Sequence, residues 1–355
     1  MGSIAEPTLD APSISYASLT DTDENTRTSA AKDLASALQT WGACRIREHG
    51  ISQKCPPWFE QTHQAKLLDS SNPAATATAR YVPFGSERIR GEAHLDETLE
   101  FQNGAYNHPH LQEWSPQARD LLQASKDIHT ECNRIVYTLL DSLSHSLSEQ
   151  QNEVQKENQS TTHKLQLSSL HREQNTFFAP YYYHFPEETH NSPQHNNDIP
   201  NTKEPSLRVP PHIDPTTLLL CIQDTHRGLK LADLSTLPSN ADLSATAVSK
   251  HHAENSGSPN ASFPAVAVQP GEFVLLAGHL LRRLVPSIKH SVHCVERPRG
   301  TSGYHLNFWI VPDLELDVTV EGREGGREKK ESVAGYLARV FPASVRTLGK
   351  QEKNE

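Results

Sequence analysis

The residue types with the clearest chemical use are a histidine and a carboxylate two positions apart, His212 and Asp214, at the head of the stretch Pro211 to Asp224. In an extended backbone residues i and i+2 project from the same face, so this imidazole and this carboxylate can share one metal ion. The apolar run Leu218 to Ile222 that follows predicts a strand buried on both faces, rigid enough to hold such a pair. His-x-Asp by itself is a weak signal, because two polar residues meet at that spacing by chance. Further along, Gly278 to Val295 brings three more histidines, His279, His290 and His293, next to Arg282 and Arg283.

Other residues can be set aside on composition. The 355-residue chain has 20 histidines, most of them in polar stretches, as at His190, His195, His251 and His252, where solvated loop residues are expected. A formal net charge of −10 with no concentrated basic stripe argues against a nucleic-acid partner, since phosphates need a Lys/Arg face. No apolar run approaches membrane-spanning length, and no basic segment leads into an apolar one near Met1, so neither a membrane span nor a signal peptide is expected. Met1-Gly2 is not a myristoylation start, because Glu6 stands where Ser or Thr is needed. The five scattered cysteines form no Cys-x-x-Cys pair, and the expected location is the cytoplasm.

The elements that must position these residues fall into two halves. A loose arm over residues 1 to 12 leads to a short strand near Ile14 to Tyr16, then to a helix from about Asp23 to Leu38 that Trp41-Gly42 ends. Gly42 to Ile51 reads as a strand entering a turn, and Pro56 to Leu68 as helical. A loop is expected at Arg80 to Ser86, a long helix from Ser115 to about Leu147, and an exposed polar insert at Glu149 to Lys164. Strand signals then dominate: Thr176 to Phe185, Gly228 to Ala232, Ala265 to Val268, Glu272 to Ala277, Ser291 to Val295 and Tyr304 to Val311. A polar loop spans Glu187 to Lys203, and Ser235 to Ser262 reads as an enlarged surface loop, with a substrate lid as the other reading. Gly322 to Glu331 is a charged turn and Ser332 to Val345 a closing helix. Short strands at this density after a helical half predict a β-sandwich or barrel decorated by N-terminal helices.

The order of several segments resembles the isopenicillin N synthase-like superfamily of non-haem Fe(II) and 2-oxoglutarate-dependent dioxygenases. Asp10 to Leu19 is similar to that family's Pro-x-Ile-Asp-x-x-x-Leu, Trp41 to Ile51 to Gly-Phe-Phe-x-x-x-Asn-His-Gly-Ile, and Arg80 to Ser86 to Gly-Tyr-x-Pro-x-Gly. His212 to Asp224 is similar to His-Thr-Asp-x-x-x-Leu-Thr-Leu-Leu-x-Gln-Asp, Gly228 to Leu231 to Gly-Leu-Gln-Val, and Gly271 to Leu281 to Pro-Gly-x-x-x-x-x-x-Gly-Asp-x-Leu. Together these run from about residue 10 to 312. The resemblance implies a mainly β fold with α, a double-stranded β-helix or jelly-roll core flanked by N-terminal helices. It implies residues 1–150 as an N-terminal region packed on a core at 165–315, with an insertion at 235–262 and a C-terminal turn and helix at 316–355.

The resemblance further implies Fe(II), O2 and 2-oxoglutarate as cofactor and co-substrates, and a small organic molecule as the oxidised partner, in specialised metabolism. Two imidazoles and one carboxylate on one face of Fe(II) leave positions open for a bidentate 2-oxo acid and O2. His212 and Asp214 are the first two ligands. The third is His293 by alignment of Ile288 to Val295 with Lys-Ser-x-x-His-Arg-Val. His290 is the rival, because His290-Ser291-Val292 also mimics His-Arg-Val, and His293 is preferred since the following strand then falls in register. His279 reads as structural.

Two departures stand out. The family's arginine that grips the far carboxylate of 2-oxoglutarate is replaced by Gly303, with His305 at the companion serine. In Tyr183 to Pro186, Phe185 replaces the tyrosine that assists the same carboxylate. His305 and Tyr183 are therefore the candidate co-substrate residues, with Arg282, Arg297 and Arg299 as further possible cations. The alternatives are a superfamily oxidase that uses no 2-oxoglutarate and a non-enzymatic binding protein of the same fold.

Overall fold

The computed structural model describes residues 8–51, 57–61, 64–66, 79–86, 88–89, 92–94, 96–102, 106, 113–155, 165–183, 207–223, 228–237, 241–256, 263–296, 303–320 and 329–340. In chain order they form β1 (Thr8–Leu9), β2 (Ser13–Ser15), α1 (Tyr16–Leu19), α2 (Glu24–Trp41) and β3 (Ala43–Arg47). A 3-10 turn at Pro57–Glu60 precedes β4 (Ala79–Val82), β5 (Arg88–Ile89), β6 (Glu92–Ala93), β7 (Glu97–Gln102) and α3 (Pro116–Gln155). Next come β8 (His171–Tyr183), β9 (Leu207–His212), β10 (Leu218–Gln223), β11 (Leu229–Leu231), α4 (Ala245–Ser256) and β12 (Ala265–Val266). The last elements are β13 (Phe273–Ala277), α5 (His279–Leu284), β14 (His293–Glu296), β15 (Gly303–Pro312), β16 (Asp317–Val320), β17 (Lys329–Ser332) and α6 (Val333–Val340).

Two sheets lie face to face, one ordered β1-β12-β11-β14-β9 and the other β2-β3-β13-β10-β15-β8-β7-β4. Strand alternation sorts the side chains of the larger sheet into two layers. Leu218, Leu220, Ile222, Phe178, Tyr182 and Phe308 turn outward and pack under α2 and α3. Leu219, Cys221, Val274 and Leu276 turn inward and meet Leu229, Leu231 and Val266 of the smaller sheet. All six residues of β10 are buried, as the uninterrupted apolar run predicts, and each fully buried leucine contributes about 2 kcal/mol. This is the expected jelly-roll core with helices on one face. Among the described residues no strand joins the two sheets, so the core is an open pair rather than a closed barrel.

Local chemistry explains the helix ends. The Asp23 carboxylate accepts from the Thr26 backbone N–H at 2.8 Å and caps α2, whose Ala30, Leu34, Ala35 and Leu38 form its buried stripe. Gly42 ends the helix at φ 69°, and a Cβ there would lie 2.9 Å from the backbone of Lys289 and His290. α3 buries Leu121, Ile128, Cys132, Ile135, Leu139 and Leu143 at helical spacing.

Several expectations need correction. The loop expected at Arg80 to Ser86 begins as strand β4, because it pairs with β7, a strand whose Glu and Thr content hid it. α3 continues to Gln155 through residues read as polar insert, since a polar segment can extend a helix whose first part is anchored by packing. The enlarged loop at 235–262 contains α4. Its Ala245 and Val248 are buried with Leu243, Phe263, Val292 and Cys294, so this segment packs on the back of β14 and is not a loose surface loop. β16, the short α5 and β17 were not anticipated, and β17 turns the end of the expected charged turn at 322–331 into a strand paired with β16. The Glu187 to Lys203 loop, Phe185, Arg297 and Arg299 lie outside the described residues. Among those described, Cys44, Cys132, Cys221 and Cys294 are buried free thiols, and no helix is long and apolar enough to cross a membrane.

Candidate metal centre

His212 closes strand β9, and its direct partner across the ladder is His293, the first residue of β14. Their rings lie 4.2 Å apart between centroids. Asp214 follows in the connector between β9 and β10, with Oδ1 3.9 Å from His212 Nε2 and Oδ2 3.4 Å from His293 Nε2. One ligating atom from each of the three lies within 4.8 Å of the others, a spacing that a single ion can span.

The backbone around each side chain is pinned. His212 Nδ1–H donates to the Pro210 carbonyl at 2.9 Å, which leaves Nε2 with its lone pair facing the cluster. The connector carrying Asp214 runs against the start of α5: His279 N–H donates to Asp214 O at 2.8 Å, and Leu280 N–H to Thr216 O at 2.9 Å. Gly278 is required there, because a Cβ would stand 2.1 Å from the Thr216 carbonyl oxygen. The segment leading to His293 is tied to α2 and β13 by Lys289 N–H to Leu38 O and Ser291 N–H to Ala277 O. α4 and its flanks complete the support, since they cover the outer face of β14 and contact Leu207 and Ile213 on either side of His212.

The electrostatics suit a cation. His293 is 4% exposed, and burial, reinforced by His212, holds its imidazole neutral, the form that ligates metals. Burial raises the Asp214 carboxyl above its ordinary range, against the opposing pull of His212. Asp214 Oδ2 is buried and makes no hydrogen bond. A carboxylate oxygen held that way is costly unless a positive charge sits beside it, so the donor set and its surroundings fit a divalent metal.

His290 is elsewhere. Its Nε2–H donates to Leu243 O at 2.8 Å and its ring packs 5.3 Å from that of His279, whose Nδ1 is hydrogen-bonded to the Tyr336 hydroxyl. Both histidines are neutral through burial, His279 pushed down to about 3 and His290 to about 4. His305 lies on β15 inside the cleft, 3% exposed, with its ring 4.8 Å from that of Tyr183. Burial pushes His305 down to about 3 and carries the Tyr183 hydroxyl well above its usual range. Gly303 pairs directly with Tyr183, and Arg282 sits on α5.

Three further buried titratable or charged residues escaped the sequence reading. His94 lies within electrostatic reach of His212, and burial takes it down to about 4. Asp96 is 1% exposed with Oδ2 3.9 Å from His94 Nδ1, and Arg208 is 3% exposed on the strand that carries His212. The signal for the first two was present, since His94 and Asp96 repeat the His-x-Asp spacing. Arg208 gives no such signal, because only the fold shows that a cation at that position is buried.

No family model matches the chain, and no curated protein matches it. Solved structures do. A full-length Neurospora crassa protein in complex with alpha-KG is similar over 96% of this chain and 98% of that one, with a TM-score of 0.63 at 15% identity. A putative 2OG-Fe(II) oxygenase family protein from Caulobacter crescentus is similar over 93% and 98%, with a TM-score of 0.61 and 15% identity. The dioxygenase for auxin oxidation 1 of Arabidopsis thaliana, bound to 2-oxoglutarate, follows at 86% and 94%, with a TM-score of 0.53 and 16% identity. This chain therefore shares the fold of those proteins along most of its length.

Proposed function

We propose that the chain is a non-haem Fe(II)-dependent dioxygenase that uses 2-oxoglutarate and O2 to oxidise a small organic molecule. The observation that carries this reading is the convergence of His212, Asp214 and His293 at one end of a jelly-roll cleft, with ligating atoms within 4.8 Å of one another. These three residues would hold the metal, and Fe(II) bound there would supply the redox centre for the 2-oxo acid and O2. The fold shared with a protein solved in complex with alpha-KG and with a dioxygenase solved in complex with 2-oxoglutarate supports the choice of co-substrate.

The chain's own residues do the positioning. Pro210 O orients the His212 ring, the start of α5 holds the Asp214 backbone, and β14 presents His293 opposite His212. Tyr181 and Trp309, with rings 5.9 Å apart on the paired strands β8 and β15, and the buried His94–Asp96 pair are the groups expected to meet the substrate. Buried free thiols suit a reducing compartment, in keeping with a cytoplasmic enzyme of specialised metabolism.

Gly303 favours a second reading, an oxidase that binds Fe(II) and substrate but no 2-oxo acid. Anaerobic titration of the Fe(II) protein with 2-oxoglutarate separates the two. The first reading expects the visible charge-transfer band of a chelate, saturating below millimolar ligand. Iron binding without that band, with iron-dependent O2 uptake on substrate alone, would point to the oxidase. A protein that binds no Fe(II) would be a binding protein of the same fold.

A further inference from the structure

The backbone of Asp214 is supported by the start of α5, a helix of only 6 residues. A helix that short does not hold its own position, so contacts from elsewhere must fix it. Three successive N–H groups at its start all go to the connector: Gly278 to Thr217 O at 3.0 Å, His279 to Asp214 O at 2.8 Å and Leu280 to Thr216 O at 2.9 Å. On its other side α5 meets the last helix. Leu280 is buried with Val333, Tyr336 and Leu337 of α6, and α6 is itself tied down by Val333 N–H to Leu316 O and Ala334 N–H to Leu314 O. A polar contact crosses this apolar seam. The His279 ring is hydrogen-bonded through Nδ1 to the hydroxyl of Tyr336, which is 3% exposed. The tautomer follows from Arg283, whose Nη2 lies 3.4 Å from His279 Nε2. A guanidinium only donates, so Nε2 accepts, and Nδ1 carries the proton that goes to the Tyr336 oxygen. His279 is thus gripped twice, by its backbone N–H on Asp214 and by its ring on Tyr336.

We propose that Tyr336 is a positioning residue for the metal centre: its hydroxyl, acting through His279, sets where the connector holds the Asp214 carboxylate. This rests on the metal-binding part of the reading above and ties the affinity of the site to the C-terminal helix. Apolar packing between α5 and α6 tolerates sliding, whereas a hydrogen bond fixes both distance and direction. Removing the hydroxyl alone leaves a buried N–H of His279 without its acceptor, and the first turn of α5 must shift to relieve it. Asp214 O follows, because it is bonded to the backbone of the same residue.

The test uses the full chain and Co(II) alone, reading the dissociation constant and the visible ligand-field bands, with urea unfolding of the metal-free protein measured alongside. Tyr336→Phe keeps the ring in the apolar seam and removes the hydroxyl. It should weaken Co(II) binding about tenfold, the scale on which outer partners of metal ligands act, and shift the bands. His279→Ala should do the same. His279→Asn, whose amide can still donate to the Tyr336 oxygen, should recover most of the loss. A Tyr336→Phe protein with wild-type Co(II) affinity and bands, whether or not its urea midpoint falls, makes the hydroxyl merely structural; it overturns the assignment and leaves the metal centre intact. Equal losses in His279→Asn and His279→Ala also overturn it, since the contact with Tyr336 would then transmit nothing. Wild type that binds no Co(II) overturns the metal centre itself and this assignment with it.

Discussion

Acid should unfold this protein through its buried neutral histidines, and His129 allows the effect to be isolated. It is 1% exposed between α3 and β8, far from the metal centre in the chain. The Tyr106 hydroxyl donates to Nδ1 at 2.8 Å, and Nε2–H donates to Thr176 Oγ1 at 2.9 Å, whose own proton goes to Glu173 O at 2.7 Å. The network is satisfied by the neutral ring, and protonation would strand the Tyr106 hydroxyl and bury a charge. Burial accordingly pushes His129 from 6.5 down to about 3. The folded value lies below the unfolded one, so the unfolded chain binds more protons in between. Stability is complete above pH 6.5 and is lost as pH falls toward 3. At pH 5 the linkage amounts to about 2 kcal/mol for this one residue. His94, His171 and His290, each pushed down to about 4, act in the same direction. Urea denaturation at pH 7 and pH 5 measures the loss. His129→Gln, whose amide can accept from Tyr106 and donate to Thr176 without titrating, should reduce the loss between the two pH values by about 2 kcal/mol relative to wild type. Equal losses in the two proteins would refute the reasoning.

Two further substitutions probe the supports of the site. Val248→Ala in α4 should cost about 2 kcal/mol in denaturant melts, because Val248 is buried against β14. An unchanged midpoint would return 235–262 to the status of a tolerated surface insertion. Gly278→Ala should cost roughly 3 kcal/mol by thermal denaturation, since the new Cβ meets a carbonyl oxygen of the Asp214 connector and no side-chain motion can relieve it. A melting temperature equal to wild type would mean that the connector yields freely.

Much of this molecule was legible because its signals are local. Alternation and apolar runs revealed β10, β13 and β15, and the cap at Asp23 with the glycine at 42 bounded α2 to within a few residues. The spacing of His212 and Asp214 marked two of the three clustered residues, and β14 begins at His293, paired with His212, while His290 lies outside the cluster. What stayed hidden depends on contacts distant in sequence. β7 carries Glu97, Thr98 and Glu100, and its acidic residues, poor strand formers, pair because β4 and β8 flank them. α4 looked like loop because its Ser, Asn and His content is polar, and its few apolar residues find their partners on β14. Arg208 carried no signal at all in the sequence, since its burial on β9 depends on the fold.

The most direct measurement is equilibrium binding of Fe(II), or of Co(II) followed by its visible ligand-field bands, to wild type and two variants. One ion per chain is expected in wild type and in His290→Gln, which can still donate to the Leu243 carbonyl, and none in His293→Ala. Tight binding retained by His293→Ala and lost in His290→Gln would contradict the metal centre described above.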